Sequence, residues 1–145
     1  MRRTLLLAAL LALGTANAVP AQEFNIIEAR QAGQDLLSGD FSGIRAVVAA
    51  KGDITKLEDP AKAMARWMKQ FPSTFPAGSD KGRPTRALPT VWSDPEGFHK
   101  AADNFVAAAE KLTELAKAGN PEGVAAQVKE VGDACAACHR TYRQR

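Results

Sequence analysis

Apolar residues recur along this chain at intervals of three and four, the spacing that gathers them on one face of an α-helix, in four separate stretches. The first runs Ile27, Arg30, Gln34, Leu37, Phe41, Ile44, Val48, and the second Leu57, Ala61, Met64, Met68, Phe71. The third runs Phe98, Ala102, Phe105, Ala109, Leu112, Ala116. The fourth runs Val124, Val128, Val131, Cys135, Cys138, Tyr142, which puts two cysteines on the face that the valines bury. No stretch sustains the alternation of a strand. The pattern predicts an all-α fold, an antiparallel four-helix bundle whose core suits a cofactor.

Helix breakers support these limits. Gly52-Asp53 closes the first helix, Asp59-Pro60 opens the second, and Gly119-Asn120-Pro121 divides the third from the fourth by cap and first-turn chemistry. Between the second and third lies a Pro- and Gly-rich connection, residues 72–95, with Pro76, Gly78, Gly82, Pro84 and Pro89. A loop of this length is either functional or mobile, or a crossover running along the bundle.

One stripe carries polar residues. Arg30 and Gln34 stand on the core seam of the first helix, where an unpartnered guanidinium or amide is costly to bury. Two answers stand open: a polar cofactor meets them, or Arg30 reaches solvent and Gln34 bonds a neighbouring helix. Met64 and Met68 read as core, and His99 falls beside its helix's stripe, as a surface residue does.

Composition adds boundaries. The chain has 145 residues, 46% hydrophobic and 24% charged, an ordinary globular balance for one domain. Arg2 and Arg3, the apolar run from Leu5 to Leu13, and Ala16-Asn17-Ala18 read as a signal peptide, residues 1–18, leaving 19–145 as a single four-helix domain of the mature chain. The apolar run is too short to span a bilayer, so no membrane insertion of the mature chain is expected and export to the periplasm is. Without Arg2 and Arg3 the 19 basic residues become 17, against 16 acidic ones. The charges are scattered along the sequence, which gives no footprint for nucleic acid.

The chemistry is concentrated in Cys135-Ala136-Ala137-Cys138-His139, the Cys-x-x-Cys-His attachment signature of haem c. Residues i and i+3 of a helix project to one side, so both thiols reach the vinyl groups of one porphyrin, and the next residue, His139, reaches the iron as its proximal ligand. The pair also admits a redox-active dithiol, a disulfide or half of a zinc site. Against these stand an all-α context and the lack of a second cysteine pair.

The mature sequence as a whole resembles the class II c-type cytochromes, the cytochrome c-prime family, which are themselves four-helix bundles. The residues that carry the likeness are Cys135-Ala136-Ala137-Cys138-His139-Arg140-Thr141-Tyr142-Arg143, the segment Pro89-Thr90-Val91-Trp92-Ser93-Asp94 with Phe98 after it, and Arg30-Gln31. The resemblance implies one covalent haem c, Arg30 at a haem propionate, and a homodimer as one state of assembly. It also points to the sixth iron position, where low-spin members carry a methionine and gas-binding members an apolar residue. This chain has Gln34 there, which suggests an open distal side.

Electron transfer with a redox partner protein is therefore the expected function, with binding of nitric oxide or carbon monoxide, a small gas ligand, as the alternative. Gln34 is placed to bond a ligand, hold a water or bind the iron weakly. Arg143, four residues after His139, is expected on the same helix face, shaping the proximal pocket or simply countering the helix dipole. With no distal His/Arg pair, the chain is read as non-enzymatic.

Overall fold

A computed structural model describes residues 24–145; the expected leader, residues 1–18, lies outside the described residues. Helix α1 spans Ile26–Ala49 and α2 Glu58–Gln70. A short α3, Thr90–Ser93, precedes α4, Pro95–Lys117, and α5, Pro121–Tyr142. The described residues contain no strand, only one isolated bridge between Ala87 and Arg143.

The helix starts are set by short polar side chains. Asn25 accepts from the N–H groups of Ile27 and Glu28, Asp94 from Gly97, and Asn120 from Gly123, each answering donors that the first turn leaves unbonded. One expected boundary is corrected. Asp59-Pro60 does not open the second helix: Asp53 caps a 3-10 turn, Ile54–Leu57, that runs straight into α2 at Glu58. Pro60 then sits inside the first turn, where a missing N–H costs little. Past α1, Lys51 takes the left-handed conformation at φ 51°, and the Gly52 N–H then donates to the Val47 carbonyl at 2.9 Å, closing the helix as expected.

The start of α1, the end of α2, the start of α4 and the end of α5 meet at one end of the molecule. Arg30 of α1 bonds Thr74 and Ser79 just beyond α2, Phe98 of α4 packs against Phe71 and Phe75, and Tyr142 of α5 bonds Asp94 at the start of α4. The four long helices are therefore antiparallel neighbours, as the stripes required.

Burial follows the four stripes, with one informative lapse. All six α4 positions are buried, as are Leu57, Ala61, Met64 and Met68. On α1 and α5 the stripes are only half-buried at Gln34, Phe41 and Val48, and at Val128, Cys135 and Cys138. The seam between α1 and α5 is thus where inward-facing side chains leave the core incompletely closed. Between α1 and α2, by contrast, the approach is tight: Gly33 lies under the Trp67 indole, and a Cβ there would enter the ring. Gly33→Ala should lower stability by about 1–3 kcal/mol as the indole is forced off its rotamer, read from the urea midpoint at unchanged slope.

Candidate functional site

The attachment motif lies in the last two turns of α5. Cys135 is half-buried against the main core, and Cys138 against a second cluster of Val91, Phe98 and Tyr142. The two thiols thus straddle the junction between the two parts of the core. Both are free, and burial pushes Cys135 up to about 11 and Cys138 up as well. A redox dithiol needs the opposite, a depressed thiol, and no three His, Cys, Asp or Glu side chains gather into a metal site among the described residues. What remains is a thiol pair on a buried helix face with a histidine beside it.

His139 is exposed at the C-terminal end of α5. Its imidazole is nevertheless held below the usual histidine range, first by the protein packed around it and then by the guanidinium groups of Arg143 and Arg86. A neutral ring nitrogen is the form that binds a metal. Arg143 lies beside His139, but as the residue that ends the helix and not as part of it. It has left the helix as an extended cap residue (φ −129°, ψ 133°), its N–H donates to the His139 carbonyl, and its backbone is bridged to Ala87. It stays beside His139 through that i to i−4 bond, and the bridge to Ala87 fixes it there. Arg86 joins it from a loop 57 residues earlier in sequence than Arg143, held by donating through Nε and a terminal nitrogen to the Gln144 carbonyl at 3.2 and 3.0 Å.

The register of α1 against α5 locates the opposite wall. Phe41 Cζ stands 3.6 Å from the place a Gly132 Cβ would occupy. Seven residues back along α1 is Gln34, and seven forward along antiparallel α5 is His139, each about 10 Å along its axis. Gln34 is therefore level with His139 across the loosely packed seam. Its Nε2 donates to the Met68 sulfur at 3.5 Å, so it bonds a neighbouring helix, as one of its two sequence readings held. Met68 and Met64 are both core, and His99 is exposed.

Arg30 neither reaches solvent nor stands free. It is 3% exposed, and its terminal nitrogens donate to the Thr74 carbonyl, the Ser79 hydroxyl, the Ser79 carbonyl and the Thr85 hydroxyl at 3.2, 3.0, 2.8 and 3.1 Å. Its guanidinium carbon lies 4.2 Å from the Phe75 ring centre. Four of five N–H donors thus hold the long connection, which is strapped to the bundle and not a free crossover. Gln31 adds a bond to the Pro84 carbonyl and Trp92 one to that of Pro76.

Two features escaped the sequence. Trp67 Nε1 is buried with no hydrogen-bond partner among the described residues, an uncommon state for a donor. Tyr142 Oη donates to Asp94 Oδ2 at 2.7 Å, over Gly97, where a Cβ would strike both. This bond, with burial second, raises the Tyr142 phenol to about 12 from its usual 10. The stabilisation it gives is present below pH 10 and is lost as the pH climbs from 10 to about 12. Alkaline unfolding of the wild type should therefore be steeper over that interval than that of Tyr142→Phe, followed by far-UV circular dichroism.

These features fit a tetrapyrrole: two inward thiols one turn apart, an adjoining histidine held below the usual histidine range, an under-filled seam and an orphaned buried donor. A family model described as cytochrome c' matches residues 25–143. The chain belongs to the cytochrome c' family. It is 36% identical over 121 residues to cytochrome c' of Rubrivivax gelatinosus, covering 82% of this chain and 94% of that one. To the Rhodospirillum rubrum protein it is 30% identical over 148 residues, covering 99% of both. The crystal structure of the Rubrivivax gelatinosus protein superposes with a TM-score of 0.75, covering 82% of this chain and 94% of that one at 35% identity. Another solved cytochrome c', described as having an unusual ligand-controlled dimer dissociation, reaches 0.78 at 31% identity over 83% of this chain and 95% of its own. As a cytochrome c', the protein carries covalently attached haem c, and its four-helix bundle is the family's fold.

Proposed function

We propose that this cytochrome c' is a periplasmic electron carrier whose haem is tethered through Cys135 and Cys138, with His139 as the only protein ligand to the iron. Bound haem supplies a one-electron iron couple and, where one axial side is open, a position for a small gas. The protein's contribution is to hold and to exclude. Cys135 and Cys138 would hold the ring at the junction of the two core clusters, and the lowered pKa of His139 favours the neutral form that binds a metal. Phe71, Phe75, Phe98 and Tyr142 wall the loop end from water. Arg30, with one N–H donor beyond those given to the loop, is left a single bond for a haem carboxylate.

The observation that carries the open-site reading is the occupant of the position level with His139. It is Gln34, an amide already bonded to Met68, where a six-coordinate carrier would place a thioether or imidazole. Gas binding is the second reading and rests on the same residue. A cytochrome c' from Alcaligenes xylosoxidans, 24% identical and of the same fold at TM-score 0.74, has been solved with nitric oxide and with carbon monoxide in variant forms; at that distance the likeness speaks to fold, and Gln34 carries the reading here. A role as an enzyme has no support in a distal His/Arg pair. A homodimer agrees with the relative described by its dimer dissociation.

The deciding measurement is the visible spectrum of ferric and ferrous protein with and without carbon monoxide. A broad ferrous Soret band that sharpens with carbon monoxide is expected. Sharp α and β bands indifferent to the gas would mean a sixth protein ligand and would remove both the open site and gas binding.

A further inference from the structure

Six of the chain's cations come from two segments that the fold brings together. Segments 81–87 and 139–145 carry Lys81, Arg83, Arg86, Arg140, Arg143 and Arg145 without one Asp or Glu, and all six are exposed. Beyond residue 18 the rest of the chain holds 11 basic residues against all 16 acidic ones. The acidic side chains at the same end of the bundle are Glu28, Asp80, Asp94 and Glu96, so the six cations outnumber them and leave that end net positive.

The fold builds that end deliberately from distant pieces. Ala87 is bridged to Arg143, the Gln144 N–H donates to the Arg86 carbonyl at 2.7 Å, and the Leu88 N–H donates to the Tyr142 carbonyl at 3.0 Å. The Thr90 hydroxyl donates to the Thr141 carbonyl at 2.7 Å, and the Arg86 side chain closes on the Gln144 carbonyl. Among the described residues only Arg83 of the six forms an ion pair, with Glu28 at 2.9 Å. His139 lies within this patch. The nearby groove between α4 and α5 is different in kind: it mixes Lys100 with Glu130 and Asp133 and offers no single sign of charge.

We propose that the loop 81–87 and the tail 139–145 form one docking surface, which receives an acidic face of a redox partner protein at the His139 end of the bundle. The inference rests on the electron-transfer reading and adds the place and the charge of the encounter. Single-sign patches act on encounter rate and orientation more than on affinity, and they act through salt-sensitive forces. The patch is therefore a steering surface. Its backbone ties hold cations that would otherwise repel one another, which ordinary solubility would not require.

The test uses the haem-loaded protein and two small electron donors of opposite charge, anionic ferrous EDTA and cationic hexaammineruthenium(II), in stopped flow. The anion should reduce the wild type about fivefold more slowly when salt is raised from about 10 to about 300 mM, and the cation should show the reverse trend. Arg86→Gln with Arg140→Gln should slow the anion about threefold at low salt. Lys111→Gln with Lys117→Gln, the same change of charge about 27 Å away at the other end of the helices, should not. Rates insensitive to salt and equal in both double variants would overturn the surface, and the salt response of the wild type gives that answer even if the Arg86 variant loosens its tail. Salt-insensitive rates with capture by phosphatidylglycerol vesicles, lost in Arg86→Gln/Arg140→Gln, would overturn it in favour of an anionic membrane. Failure of both donors to exchange electrons would remove the electron-transfer reading and this surface together.

Discussion

Exchanging Gln34 for methionine is expected to close the iron site. The α1/α5 register sets residue 34 level with His139 across the under-filled seam, and the resemblance to the low-spin cytochromes places a ligand methionine at this position. Methionine is close in length to glutamine, and losing the amide removes only a long bond to the Met68 sulfur. A thioether that favours the closed state by about 1.4 kcal/mol lowers the apparent affinity for an exogenous ligand about tenfold. The ferrous Gln34→Met protein should therefore show sharp α and β bands and at least about a tenfold weaker carbon monoxide titration, while Gln34→Leu keeps the wild-type spectrum. An unaltered spectrum and titration in Gln34→Met would place residue 34 away from the iron and return the distal assignment to α2, where Met68 is the nearest thioether.

Replacing Arg30 by methionine is expected to cost more stability than any other exchange considered. The guanidinium is almost wholly buried, donates four hydrogen bonds to three residues of the long connection and lies over Phe75. Hydrogen bonds from a charged donor contribute about 1.5–3 kcal/mol each when counted singly, but four on one group are far from additive. A loss of about 3 kcal/mol is the reasonable expectation, seen as a lower denaturation midpoint and as early proteolytic cleavage between residues 74 and 86. The family-based expectation for Arg30, a contact to a haem carboxylate, has a different signature. If that contact outweighs the strap, Arg30→Met will shift the reduction potential while leaving the connection protected.

The two arginines first singled out show why sequence reading went only part of the way. Arg30 was legible as an anomaly because a cation on an apolar stripe violates the helical pattern wherever the partners lie. Its partners were not legible, since Ser79 and Thr85 lie 49 and 55 residues away in a stretch without periodicity. For Arg143 only the conformation differed, for a local reason: α5 stops at Tyr142 and Arg143 is its extended cap, while its charge still lies beside His139. Arg86 and Trp67 gave no signal at all. The first is an ordinary loop cation until the Ala87–Arg143 bridge carries it to His139, and the second becomes notable only because Gly33 admits its ring and nothing accepts from its nitrogen.

What the sequence determined by itself is whatever repeats at short range. The four helices, their inward faces, the caps at Asn25, Asp94 and Asn120, and the attachment motif all depend on neighbours within about one turn, and for these the local chemistry suffices. The tertiary structure decided the rest. It set the register that puts Gln34 opposite His139, the strap that Arg30 holds, the bond between Tyr142 and Asp94, and the gathering of six cations at one end. Each of these joins residues far apart in the chain, and their proximity is fixed by how four amphipathic faces close on one another, a global packing outcome that no local pattern encodes.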